Sequence, residues 1–280
     1  IDNDDSFTDN LVQDLGERSY LGYYADASHL DQGTSYNGSL DGYFFLTDAW
    51  RARFQGAVSH EDLGDPAQSI AKDATDFLAD ASIIYDLYPW EFSVSYTAIT
   101  DSFNPLLGYI PRRDIFGPSA LAEYNRRAGN GWYKEIYAAY YPKLFHNENG
   151  QTTVRDHGAL ARVVFRNDIG MRLAYDHDYH APFTNQRLLS GIDLWTSDFY
   201  RAVNLSYATG EFEGTEYDEF IWGKRLKFWE RLPIRHELVL RFEEDPAGLS
   251  ETAWLNRVVL DLYLSKNMWV KASIQNRSAS

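Results

Sequence analysis

From Ser35 to His60, polar and apolar side chains alternate along two runs separated by a tight turn. In the first run Tyr36, Gly38, Leu40, Gly42, Phe44 and Leu46 fall on one side, and Asn37, Ser39, Asp41, Tyr43 and Phe45 on the other. In the second, Trp50, Ala52, Phe54, Gly56 and Val58 oppose Arg51, Arg53, Gln55 and Ser59. Successive side chains of a strand point to opposite faces, so the pattern predicts a hairpin that turns at Thr47 and Asp48. A helical period of 3.6 residues would not sort these residues so cleanly. The polar face carries two arginines and an aspartate, which the packed core of a soluble protein rarely admits. A water-filled barrel interior admits them.

The same period of two recurs along the chain. Phe77, Ala79, Ala81, Ile83, Tyr85 and Leu87 oppose Asp76, Asp80, Ser82 and Asp86. Phe92, Val94, Tyr96 and Ala98 oppose Glu91, Ser93, Ser95 and Thr97. Further strands are predicted near 6–14, 19–27, 120–125, 132–145, 154–165, 171–176, 188–195, 199–208, 220–229, 234–242, 254–264 and 268–275. The count is roughly sixteen strands, with no helix. Short turns are expected after residues near 14, 46, 88, 126, 166, 195, 229 and 264, and longer polar loops after residues near 27, 60, 100, 145, 180, 210 and 243. That rhythm predicts an all-β fold, a transmembrane antiparallel up-and-down β-barrel with short periplasmic turns and longer external loops. Greek-key sandwiches have no reason to keep it, and no motif recurs at the ~40–50-residue period of a propeller.

Composition changes the picture in three ways. The 280 residues include 20 Tyr, 8 Trp and 16 Phe, more than an ordinary soluble domain uses and suited to aromatic girdles at membrane interfaces. The net charge of −15 argues against a nucleic-acid partner. No Cys is present, which excludes a disulfide scaffold and thiolate metal sites. No apolar run approaches the ~20 residues of a membrane helix, but a barrel strand needs only ~9–11 half-apolar residues. Residues 1–280 read as one barrel. Both ends read as cut, so further strands or a partner sheet are expected beyond them. Lipid cannot satisfy a backbone amide, and an open edge is unstable there.

The segment Phe103-Asn-Pro-Leu-Leu-Gly-Tyr-Ile-Pro-Arg-Arg-Asp114 is motif-like. Its order of Phe-Asn-Pro, two residues, Gly-aromatic-aliphatic, one residue and Arg resembles a family of bacterial outer-membrane β-barrels. The layout of Arg18-Ser-Tyr-Leu-Gly22, and of the Gly-rich strand into Leu46-Thr-Asp-Ala-Trp50, is similar too. Barrels of that family usually follow a periplasmic domain similar to family 9 carbohydrate-binding modules. The resemblance implies a bacterial outer-membrane location, and it brings no catalytic residues. Read from the residues, Asn104-Pro105 favours a turn, Gly108 permits a backbone angle that other residues resist, and Pro111 stops ladder pairing. Arg112 and Arg113 are too polar for lipid. Asn104, Pro105, Gly108, Arg112 and Arg113 either form an inward-folded constriction loop that selects against cations, or a structural loop whose arginines pair with Asp76, Asp80 or Asp86.

Asp176-His-Asp-Tyr-His180 sits at a strand end, where alternation parts His177 from Asp176 and Asp178. A metal site there needs a neighbouring loop, and a solvated strand tip is the simpler reading. Asp2-Asn-Asp-Asp5 lacks the spacing of a calcium loop. No phosphate loop, nucleophile elbow or His-Glu-x-x-His motif occurs, so neither a catalytic residue nor a cofactor is expected and the chain is not read as an enzyme. A hydrolase built from wall residues would require a Ser-His pair or paired carboxylates in one cleft. Trp50, Tyr88, Trp90, Trp132, Trp195, Trp229, Trp254 and Trp269 are expected in an interface belt.

The expected function is a channel or translocation pore for small polar solutes, lined by Asp41, Arg51, Arg53, Asp80, Asp86, Arg162, Arg172 and Asp193. The alternative is a plugged barrel that anchors a periplasmic domain or docks a partner protein in an envelope complex. The partners are then outer-membrane lipid and that domain or protein.

Overall fold

Alternating half-apolar segments can pair only as strands, because each residue must offer its amide and carbonyl sideways to a neighbour. The computed structural model bears this out. It describes the chain apart from residues 1–4, 17, 31–32, 64–73, 104–112, 181, 230–231, 265–267 and 280, with side chains described except also at 5–6, 30, 33, 61–63, 74, 180, 228–229 and 279. The strands are β1 (Asp5–Asp14), β2 (Tyr20–Leu30), β3 (Gly33–Phe45), β4 (Trp50–Leu63), β5 (Ala74–Leu87), β6 (Trp90–Ile99), β7 (Ile115–Arg127) and β8 (Tyr133–His146). They continue as β9 (Thr152–Phe165), β10 (Ile169–His180), β11 (Phe183–Leu194), β12 (Val203–Phe212), β13 (Thr215–Trp229), β14 (Leu232–Glu244), β15 (Ser250–Tyr263) and β16 (Trp269–Ala279). Among the described residues there is no helix.

The sixteen strands form one antiparallel up-and-down sheet in chain order. That order is consistent with a barrel wall, and among the described residues no ladder joins β1 to β16. Two compact units divide the chain, one of Ile1–Ala122 with Pro142–Arg155 and one of Glu123–Tyr141 with Asp156–Ser280.

The predicted hairpin forms with Phe44 opposite Ala52 and Asp41 opposite Gln55. Its turn is closed by Leu46 N donating to Trp50 O at 2.9 Å and by the Thr47 hydroxyl accepting from Trp50 N at 3.0 Å. Several strands run longer than their apolar pattern. β7 has 13 residues where a short strand over 120–125 was expected. Three connections expected to be long are two residues each, between Leu30 and Gly33, His180 and Phe183, and Phe212 and Thr215. In the last, Glu213 (φ 52°) and Gly214 (φ 83°) both adopt positive φ, the geometry of a two-residue hairpin turn matched to strand twist. In the other direction, β12 begins at Val203 rather than Phe199. Asp198 stops it there: its carboxylate accepts from Tyr200 N and Arg201 N, and its carbonyl from Ala202 N.

Close packing of one glycine has a consequence for stability. On the polar face of the second unit, the Tyr141 ring lies over Gly158 so tightly that a Cβ would meet its ring atoms at 1.9 Å. The same tyrosine donates to Asp176 at 2.7 Å. Gly158→Ala must displace the ring and strain that hydrogen bond, and is expected to lower unfolding free energy by about 1–3 kcal/mol, read from urea unfolding of the refolded protein.

Candidate functional site: the polar face of the sheet

In both units the apolar face is the more open one. Along β6, Trp90, Phe92, Val94 and Tyr96 are exposed while Glu91, Ser93, Ser95 and Thr97 are partly covered. Val94 is 61% exposed and Ile83, its cross-strand partner, 54%. The second unit repeats this, with Met171, Leu173 and Tyr175 exposed and Arg172, Ala174 and Asp176 partly covered. A soluble sheet protein has the opposite sense.

The eight expected lining residues all lie on the polar face of their unit. In the first unit the register runs Asp41–Gln55–Asp80–Thr97 and Tyr43–Arg53–Ser82–Ser95. Thr97 donates to Asp80 at 2.7 Å, and Arg51 donates to Asp86 at 2.7 Å and to the Tyr43 hydroxyl at 3.4 Å. Ser95 and Ser119 bond each other at 2.7 Å. In the second unit Arg162, Arg172 and Asp193 share one polar chain. Arg172 donates to Ser206 (2.6 Å), Ser206 to Asn204 (3.2 Å) and Asn204 to Asp193. Asp193 faces Arg162 at 3.8 Å, and Arg162 also reaches Glu135 at 3.5 Å. Arg127 pairs with that same Glu135 at 3.3 Å, and Arg187 with Glu219 at 3.0 Å. Some charges of the face meet an opposite charge, as Arg51, Arg162 and Arg187 do, while Asp80 and Arg172 are held by hydroxyl groups. Each pair keeps at least one partner more than a third exposed, so it orders side chains more than it stabilises the fold.

No protein-family model matches the chain, and no curated protein matches it. The chemistry must therefore be read from the geometry.

The loop expected to constrict a pore lies partly outside the described residues, which exclude Asn104, Pro105, Gly108 and Arg112. Arg113 is described and exposed. The two feet of the loop are well defined. Phe103 is 2% exposed and packs with Ile99 and Ile115 against Ala57, Leu78 and Phe145. Ala57, Leu78 and Ile99 form the row beside Asp41–Gln55–Asp80–Thr97, so the loop begins on the polar face. Asp114 accepts from Glu148 N at 2.7 Å, and the Glu148 carboxylate from Asp101 N at 3.4 Å, which ties both feet to the β8–β9 connection. Asp80 is held by Thr97, its register partner, and Asp86 by Arg51, which stands diagonally across from it on β4. The alternation shows Phe103 only as a motif letter, because its partners come from five strands, β4 to β8.

Asp176 and Asp178 are held by Tyr141 and Asn185, while the His177 ring lies 6.1 Å from that of His157. Among the described residues no three His, Cys, Asp or Glu are grouped to hold a metal ion. Asp2–Asp4 and the side chain of Asp5 lie outside the described residues, as do the side chains of His180 and Trp229. Of the other expected belt residues, Trp50, Tyr88, Trp90, Trp132, Trp195 and Trp269 sit at the short-turn ends of their strands, and Trp254 lies near the opposite end of β15. A cleft of about 620 Å³ near the β12–β13 and β14–β15 connections is lined by Glu211, Glu216, Tyr217, Glu243, Glu251 and Arg187 among others.

At one rim of the second unit, a clasp ties the β9–β10 and β11–β12 connections to the start of β8. Asp168 (φ 65°) accepts from Lys134 and from Ser197, the latter at 2.8 Å, and its carbonyl accepts from Thr196 N at 3.1 Å. The Lys134 and Ser197 hydrogen bonds hold the Asp168 carboxyl below its ordinary value, against a smaller opposing effect of desolvation. A depressed carboxylate adds stability above its unfolded value of about 3.9 and loses it as pH falls through the folded value. Asp168→Asn is thus expected to be less stable than wild type at neutral pH, with the gap closing as the pH falls below about 3.9, followed by urea midpoints across the acid range. Phe103→Ala is expected to cost about 3–5 kcal/mol by the same assay, since it opens a cavity between Ile99, Ile115, Leu78 and Phe145.

Proposed function

We propose that this chain is the membrane-spanning wall of a bacterial outer-membrane β-barrel, and that its polar face lines a passage for small polar solutes. The observation that carries this reading is the inverted exposure: apolar side chains stand open on one face while charges pair on the other. Hydrocarbon would cover the first and water the second. Dimensions support it. Apolar positions span Trp50 to Val58 on β4 and Phe77 to Leu87 on β5. Eight to ten steps of about 3.4 Å, tilted by about 40°, project to roughly 21–26 Å, against an apolar band of about 25 Å in such walls. Aromatic residues mark both margins in each unit. Trp50 and Trp90 face Tyr36 and Phe77 across the first; Trp195 faces Phe242 and Trp254 across the second. Closure of the sheet would satisfy the outer ladder groups of β1 and β16, which lipid cannot do.

Within the passage, the Phe103 cluster sets one side of the mouth, and the wall is polar, with Arg51, Arg162 and Arg187 paired to carboxylates. Selectivity then comes from size and from whichever charges the loop adds. A second reading, a barrel closed by this loop and used as an anchor for a periplasmic domain or partner protein, draws on the same buried Phe103 and its doubly tied loop. Reconstitution of the intact protein in planar bilayers separates the two. The passage predicts ohmic steps that scale with salt, and Arg172→Glu shifts the reversal potential in a salt gradient toward cations. A silent bilayer with correctly folded protein removes the passage and leaves the anchor.

A further inference from the structure

The cations of an acidic chain gather with aromatic rings at one rim. In the second unit the β11–β12 connection carries Trp195, Phe199, Tyr200 and Arg201, and β13 ends nearby with Lys224, Arg225 and Lys227. The Arg201 guanidinium lies 5.6 Å and the Lys224 ammonium 5.5 Å from the centre of the Trp195 ring. Arg225 lies 4.2 Å over Phe199, and Lys227 5.0 Å over Tyr200. Lys224 also donates to Arg201 O at 2.7 Å, which locks β13 to the connection. The carboxylate of this loop, Asp198, is engaged by the amides of Tyr200 and Arg201. Among the described residues, none of these four cations has a carboxylate within 4.0 Å. Four neighbouring cations on a chain of net charge −15 are a local reversal of sign.

An apolar groove begins just below. It encloses about 540 Å³ on the exposed face, between Met171, Ile192, Leu205, Phe220, Trp222 and Leu240. Its notch comes from Ser190, small between Leu173 and Tyr207 in the cross-strand row. Lys224 stands on the same face as Trp222, two residues nearer the rim, or about 7 Å along the strand. An apolar channel leading to a pair of cations matches the two ends of one molecule.

We propose that this groove and rim bind an anionic glycerophospholipid, with an acyl chain along Ile192, Leu205 and Phe220 and the phosphate between Arg201 and Lys224. Trp195 holds both cations in place at the depth where headgroups lie. Arg225 and Lys227, braced by Phe199 and Tyr200, add positive potential at the rim. This inference rests on the membrane reading above, and the charge complementarity is independent of whether solute passes.

The chain has no cysteine, so one reporter can be placed without removing any. Leu226→Cys, exposed next to Lys224 and outside the groove, is labelled with bimane in the intact protein and reconstituted in phosphatidylcholine vesicles. Brominated phosphatidylglycerol or brominated phosphatidylcholine is then titrated in as quencher. The proposal expects phosphatidylglycerol to quench at a several-fold lower mole fraction. Arg201→Gln and Lys224→Gln should each reduce the preference by about five-fold, with folding checked by heat-modifiable gel mobility. Equal quenching by both lipids overturns the lipid site and leaves the membrane reading standing. No quenching by either lipid overturns the membrane reading itself. Loss of the preference in millimolar inorganic phosphate overturns the lipid assignment in favour of a free-anion site.

Discussion

A peptide group removed from water must find another peptide group, and in this chain nearly every one finds it on the strand next in sequence. That single requirement orders the rest of the molecule. Once each strand is flanked by its sequence neighbours, its side chains have only two directions left, and the sequence assigns them by alternation. Aliphatic and aromatic residues take one side, and Asp, Arg, Ser and Thr take the other. The side that soluble proteins hide is here the more open one.

The polar side is organised by pairing rather than by burial. Arg172, Ser206, Asn204, Asp193, Arg162 and Glu135 pass hydrogen bonds and charge contacts from strand to strand. Such a relay fixes long side chains in place without a hydrophobic core beneath them. The first unit adds a small apolar island, Ile99, Phe103 and Ile115, on the same face as Asp80 and Thr97. An island of that kind anchors the two ends of the β6–β7 connection among polar neighbours.

Much of the fold was legible because alternation is a local property. Trp90 to Thr97 sorts without ambiguity, and so does the Ser35–His60 hairpin, down to its turn at Thr47. Where the reading slipped, a local signal was overridden by something non-local or by backbone geometry. Phe199 to Ala202 alternates like a strand, yet Asp198 folds those residues into a turn that serves neighbouring connections. Glu213-Gly214 reads as part of a loop because a polar segment was equated with a long connection; positive φ at both residues makes it a two-residue turn. The eight lining residues could be assigned to a face by parity alone. Their partners could not, because Arg162 meets Asp193 only through a register that spans β9 to β11. Tyr141 over Gly158 and Phe103 among Ile99, Ile115 and Phe145 were hidden for the same reason.

Pairing in strict chain order also bears on how such a wall is built. Most added hairpins close a loop of only a few residues against an edge already present, so the entropy of bringing partners together is small at those steps; the fifteen residues between β6 and β7 are the longest span to close. Growth by successive hairpins lets the wall lengthen like a zip, with one fresh edge exposed at a time. The stitch made by Asp168, Lys134 and Ser197 fastens three such hairpins together at one rim of the second unit.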